Sequence, residues 1–230
     1  MKQKRFLLLL LSAVHAYDVF SAYAVREWLL LGPFRANRDI LFVKPFINEE
    51  QMVPSTGDPF GAFAWKKTEA DQTNSVDLLS QYGVSGSDQN MVAYACTYVY
   101  SDRDLLTQML VSSDDGVQVW VNGLNVWQNN TVRGINQAVD RINIALSKGR
   151  NRILLKITQF NGGWGFRCLL DADTPLRTSV ENQTREQLPP ANTKQIWIPS
   201  VGFTQSPGGK VQVGINILNS GRSPIDNAHL

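Results

Sequence analysis

Short runs of apolar, β-branched and aromatic residues, broken every few positions by Gly, Asn, Asp or Ser, dominate the middle of the chain. Residues 91–100, 105–111, 117–121, 124–127, 142–146, 153–158 and 166–170 each have the length and composition of a β-strand. Helical spacing is confined to two modest candidates near 48–52 and 74–82. Many short strands separated by frequent turns predict an all-β antiparallel sandwich or barrel.

Two hairpins can be read from the pattern. In VQVWVNGLNVWQ, Asn122-Gly123 suits a two-residue type I′ turn, in which both positions take positive φ. The register then pairs Val121 with Leu124, Trp120 with Asn125, Val119 with Val126 and Gln118 with Trp127. Side chains alternate along a strand, so the aliphatic pairs share the core face, and Trp120 and Trp127 fall together on the other. In RINIALSKGRNRILLKI, Ile142, Ile144 and Leu146 alternate before Lys148-Gly149-Arg150-Asn151, and Ile153, Leu155 and Ile157 alternate after it. That pattern predicts a second hairpin.

The pattern changes at both ends. Lys2, Lys4 and Arg5 precede the apolar run from Phe6 to Leu11, and Val14-His15-Ala16 and Ala22-Tyr23-Ala24 offer cleavage sites. Residues 1–24 therefore read as a secretory signal peptide, too short and wrongly flanked to span a membrane. Residues 25–173 form the main module. Residues 174–195, with Thr174-Pro175 and Leu188-Pro189-Pro190, read as a linker whose start could pack on the sandwich. Strand alternation resumes over 196–230, a stretch shorter than an independent β domain, so a second, truncated β module is expected there.

Composition narrows the chemistry. Removing the signal takes three of the 22 basic and one of the 20 acidic residues, which leaves a neutral mature chain. Neutrality without a Lys/Arg run argues against a nucleic-acid partner. The two histidines, His15 and His229, lie near the chain ends, which excludes a Ser–His–Asp triad, a Cys–His pair and His-ligated zinc. Cys96 and Cys168 both fall in predicted strands; they either pair, as export permits, or stay as buried thiols.

The run SSDDGVQVWVNGLNVW, followed by LSKGRNRILLKI and GGWGFRCLL, resembles galactose-binding-like jelly-roll accessory modules of secreted bacterial enzymes. REWLLLGPF is similar to their opening strand and MVAYACTYVYS to a central one. The resemblance implies a jelly-roll β-sandwich attached to a hydrolase. The SDDG-then-NG segment also resembles protective-antigen-type β-sandwich lectin domains. In sugar-binding members of that group the matching aspartates, here Asp114 and Asp115, help to hold a calcium ion. The region after Lys194 is similar to the start of an immunoglobulin-like module.

Candidate site residues follow. Asp114 and Asp115 are either calcium ligands or a turn in which one aspartate caps backbone N–H groups. Trp120 and Trp127 offer a stacking surface for sugar rings, with Gln118 and Asn125 beside them, unless that face is covered. Trp164, in Asn161-Gly162-Gly163-Trp164-Gly165, either projects from a loop tip or plugs the end of the sandwich. Arg133 and Arg141 flank a long polar loop and either line a binding rim or are simply solvated, while Trp28 and Trp65 read as structural. Asn129-Asn130-Thr131 and Asn182-Gln183-Thr184 match the glycosylation sequon, which a bacterial source would leave unmodified. Three functions are expected, in this order. The first is a secreted, non-catalytic binding module directed at carbohydrate and linked to a catalytic domain. The second is a structural sandwich packed against such a domain, and the third a glycoside hydrolase or lyase fragment.

Overall fold

The computed structural model describes residues 22–171 and 176–180, together with the backbone of four short strands farther along the chain. In chain order the elements are β1 (Ala22–Ala24), β2 (Glu27–Arg35), α1 (Arg38–Leu41), β3 (Pro59–Phe60), β4 (Phe63–Ala64), β5 (Lys66–Glu69), β6 (Ser75–Asp77) and α2 (Leu78–Tyr82). They continue with β7 (Met91–Ser101), β8 (Leu105–Asp114), β9 (Val117–Val121), β10 (Leu124–Asn129), β11 (Asp140–Leu146), β12 (Gly149–Gln159), β13 (Gly165–Asp171) and β14 (Arg177–Ser179). Beyond these, β15 (Ile196–Trp197) pairs with β18 (Leu218–Asn219), and β16 (Val201–Gln205) with β17 (Val211–Ile215).

The chain is an all-β antiparallel sandwich. One sheet runs β1-β13-β8-β11, with β6 also on β13; the other runs β10-β9-β12-β7-β2-β5, with β14 also on β7. From β7 onward the chain crosses repeatedly between sheets, and only β9 and β10 are sequential partners within one. This is the wrapped path of a jelly roll. Between the sheets, Ala93, Ala95, Val119, Val121, Ile153, Leu155 and Ile157 meet Met109, Val111, Ile142, Ile144, Phe166 and Leu170. Burying each of the larger aliphatic chains contributes about 1.5–3 kcal/mol.

The second sheet is buried on its outer face as well. Leu29, Leu31, Tyr94, Cys96, Tyr98, Trp120 and Leu154 lie under a strap, residues 36–65, which contributes Leu41, Ile47 and Trp65. Double coverage explains why β7 reads MVAYACTYVYS without polar alternation. Two buried cations on β12 hold the strap. Lys156 Nζ donates to the carbonyls of Phe42 (2.8 Å) and Lys44 (2.7 Å) and pairs with Glu49 at 3.3 Å. Arg152 donates to the carbonyls of Glu49, Glu50 and Met52.

Several expectations change. Residues 142–157 form no hairpin: β11 pairs with β8 and β12 with β7 and β9, so the two strands lie in different sheets. Residues 48–52 make a single turn, and the short helix of that region is α1, at 38–41. Cys96 faces the strap while Cys168 faces the inter-sheet core; both are free and buried, with a sheet between them. Leu176–Val180, read as the start of the linker, adds β14 to the sandwich with Leu176 and Val180 buried. Of the expected signal peptide, residues 1–24, the last three form β1 on β13, and residues 1–21 and 181–195 lie outside the described residues. No helix among those described is long and apolar enough to cross a membrane.

Candidate binding site

Strand register brings four connections to one end of the sandwich. Arg35 and Gln159 both pair with Met91, Asn129 pairs with Val117, Asp140 with Val111, and Gly165 with Asp114. The connections leaving β2, β8, β10 and β12 therefore gather there. Asp114 and Asp115 stand at the centre of this end, where β8 stops, and the peptide between them is cis.

The two aspartates differ in environment. Asp115 is buried, and its carboxylate accepts from three backbone N–H groups: Arg133 to Oδ1 at 3.0 Å, and Phe160 and Asn161 to Oδ2 at 2.7 and 3.2 Å. One side chain thus fixes the β10–β11 and β12–β13 loops together. Asp114 is partly exposed. Burial and the Asp115 carboxylate push its pKa up to about 6, opposed by a hydrogen bond from the Ile135 backbone. A methyl group on Gly163 would lie 2.4 Å from Asp114 Oδ2, so glycine is what lets the loop pass this carboxylate.

Arg133 is no solvated rim residue, because it is buried and fully engaged. It donates from Nη1 to Asp140 Oδ1 (3.2 Å), from Nε to the Ser113 carbonyl (3.2 Å) and from Nη2 to Ser113 Oγ (2.7 Å), and it forms an ion pair with Asp140. Asn129 Nδ2 joins the network through Asp140 Oδ1 at 2.9 Å. A charge pair this deep keeps its place because these hydrogen bonds surround both charges.

The stacking platform read from the sequence does not form. A β-bulge in β10 shifts the register after Asn125, so that Trp127 pairs with Val119 and Gln128 with Gln118. The extra residue puts the tryptophans on opposite faces. Trp120 is buried under the strap, and half-buried Trp127 packs against the inter-sheet core. Gln118 is buried, and Asn125 is half-buried and accepts from Gln128 Nε2 at 2.9 Å. Trp164 is buried too: it stacks on Tyr82 at 5.5 Å, donates to the Ile157 carbonyl, and plugs the end of the sandwich.

What opens to solvent at this end is a cleft of about 290 Å³ lined by Arg38, Asp39, Asn130, Thr131, Val132 and Phe160. Arg38 and Asp39 come from α1, the next three residues from the β10–β11 loop, and Phe160 from the first position after β12. The Arg38 guanidinium lies over the Phe160 ring at 4.5 Å. Sequence reading missed these residues. Asn130 and Thr131 entered only as a sequon, and Arg38 and Asp39 lie in a segment without strand pattern.

By themselves Asp114 and Asp115 would supply only part of a calcium shell. Calcium takes six to eight oxygen ligands. Both Asp115 oxygens already serve backbone donors, and among the described residues no three His, Cys, Asp or Glu side chains gather as a metal site. The capping role fits Asp115.

No family model matches this chain, and no curated protein does. Among solved structures, the PA14 domain of the MpAFP antifreeze protein is 24% identical, with a TM-score of 0.29, over 36% of this chain and 44% of that one. A beta-glucuronidase from an uncultured Clostridium sp. is 12% identical, with a TM-score of 0.32, over 85% of this chain and 33% of its own. The chain spans less than half the length of either.

Proposed function

We propose that this chain is an exported, non-catalytic carbohydrate-binding module of a larger extracellular enzyme, and that its glycan lies in the Arg38–Phe160 cleft. The supporting observation is the Asp115 carboxylate, which locks the two loops beside the cleft through their backbone N–H groups. Binding to preset polar groups avoids the cost of ordering them on contact. The lining offers a guanidinium, a carboxylate, an amide and a hydroxyl, which suit the mixed donors and acceptors of sugar hydroxyls. Asp39 is the single carboxylate among these lining residues, whereas glycoside hydrolysis uses two across the scissile bond.

A second reading has an observation of its own. Ile40, Val43, Val132 and Val139 are exposed on α1, the segment after it and the β10–β11 loop, so this end also suits docking on a linked domain. Microarray and affinity-electrophoresis screening of the chain on plant and microbial polysaccharides, with and without calcium, separates the two. The carbohydrate reading expects binding that calcium does not alter. Replacing Asn130 and Thr131 by alanine should weaken it at least ten-fold without moving the melting temperature. Absence of binding across the panel would discard that reading in favour of docking.

A further inference from the structure

The strongest unspent group at the cleft is Arg38. Its guanidinium lies with the Phe160 ring beneath it, and among the described residues it has no carboxylate within ion-pair distance, although Asp39 is its neighbour in the chain. Among the exposed or half-exposed arginines, Arg26 pairs with Glu69 and Arg35 with Asp88, whereas Arg103 and Arg177, like Arg38, have no such partner among the described residues. Stacking on an aromatic face uses the flat side of a guanidinium and leaves its edge, with the N–H fork, free to donate.

The ring beneath it is fixed. Phe160 is buried, and its backbone N–H donates to Asp115 Oδ2 at 2.7 Å, so a chain of contacts runs from the buried carboxylate through Phe160 to the guanidinium. Arg38 is thereby a charged fork held over a rigid support at the mouth of a polar cleft. A planar carboxylate matches that fork with two parallel hydrogen bonds. Asn130 and Thr131 face the same space and can hydrogen-bond the hydroxyls of the ring bearing such a group.

We infer that the cleft selects acidic glycans, in which Arg38 pairs with the carboxylate of a uronic acid residue. The inference rests on the carbohydrate-binding reading above and narrows it to a substrate class. Asp115 acts as a positioning residue for that selection, through Phe160.

The test uses the chain with matched ligands: uronate-containing polysaccharides, namely polygalacturonate, alginate and glucuronoxylan, and the carboxyl-reduced form of each. Isothermal titration calorimetry in low salt should give at least ten-fold tighter binding to one of the acidic polymers than to its reduced counterpart. Raising the salt should narrow that gap. Arg38→Gln should erase the difference in affinity between the acidic polymer and its reduced counterpart without moving the melting temperature, because Arg38 is exposed. Equal affinity for acidic and reduced forms overturns the inference and leaves the carbohydrate reading standing. Preference for a sulfated glycan over every uronate also overturns it. Binding neither to these nor to any other polysaccharide of the wider panel removes both.

Discussion

At Asp114 the carboxylate is partly buried beside Asp115, so ionising it costs more in the folded chain than in the unfolded one. Its pKa rises from 3.8 to about 6, first through burial and then through the neighbouring charge. Between those two pH values the native chain holds a proton that the unfolded chain has lost. The protonated carboxyl therefore contributes stability in full below about pH 4, and that contribution disappears as pH rises through about 6. Asp114→Asn, neutral at every pH, should stabilise the protein by about 1 kcal/mol at pH 7.5 once solvent screening is allowed for, and change little at pH 4. Urea denaturation at the two pH values measures this; an identical pH dependence in variant and parent would clear Asp114 of the role. The adjacent aspartates were visible in the sequence, as was the option that one of them caps backbone donors. Which one does so depends on the Arg133, Phe160 and Asn161 N–H groups, 18 to 46 residues away along the chain.

Among the elements, β12 carries the most structure and the least expected side chains. Its inner face, Ile153, Leu155 and Ile157, was legible from alternation. Its outer face places Arg152 and Lys156 in a buried layer, where water would ordinarily solvate such cations. They are tolerated because strap carbonyls and Glu49 surround them. Burial lowers the Lys156 pKa, and Glu49 opposes the shift. Lys156→Met should strand the Phe42 and Lys44 carbonyls and the Glu49 charge, costing about 3 kcal/mol. It should also open the strap to limited proteolysis within residues 36–65 before the sandwich itself is cut. Resistance equal to the parent's would show that apolar packing alone holds the strap. In β10 the Asn122-Gly123 turn forms as read, with φ of 51° and 88°. The bulge three residues later has no local signature. Its effect is to turn Trp127 inward, and with that the expected aromatic platform is lost.

For the whole molecule, the arrangement of the two sheets decides the state of the cysteines. Burial pushes Cys96 up to about 12 and Cys168 higher still, so neither is a thiolate at neutral pH. Ellman's reagent should find no reactive thiol in the native chain and two in guanidinium without reductant; none under the second condition would mean a disulfide. Sequence by itself determined the all-β class, the positions of β7 to β13 within a few residues and the tight turn at Asn122-Gly123. These are properties of neighbouring residues: composition, a period of two, and turn residues that accept positive φ. The tertiary structure alone decided which strands share a sheet, which face each tryptophan takes and where solvent reaches a cleft. Those outcomes depend on pairings between distant segments and on the strap that covers the second sheet, and no local period encodes either.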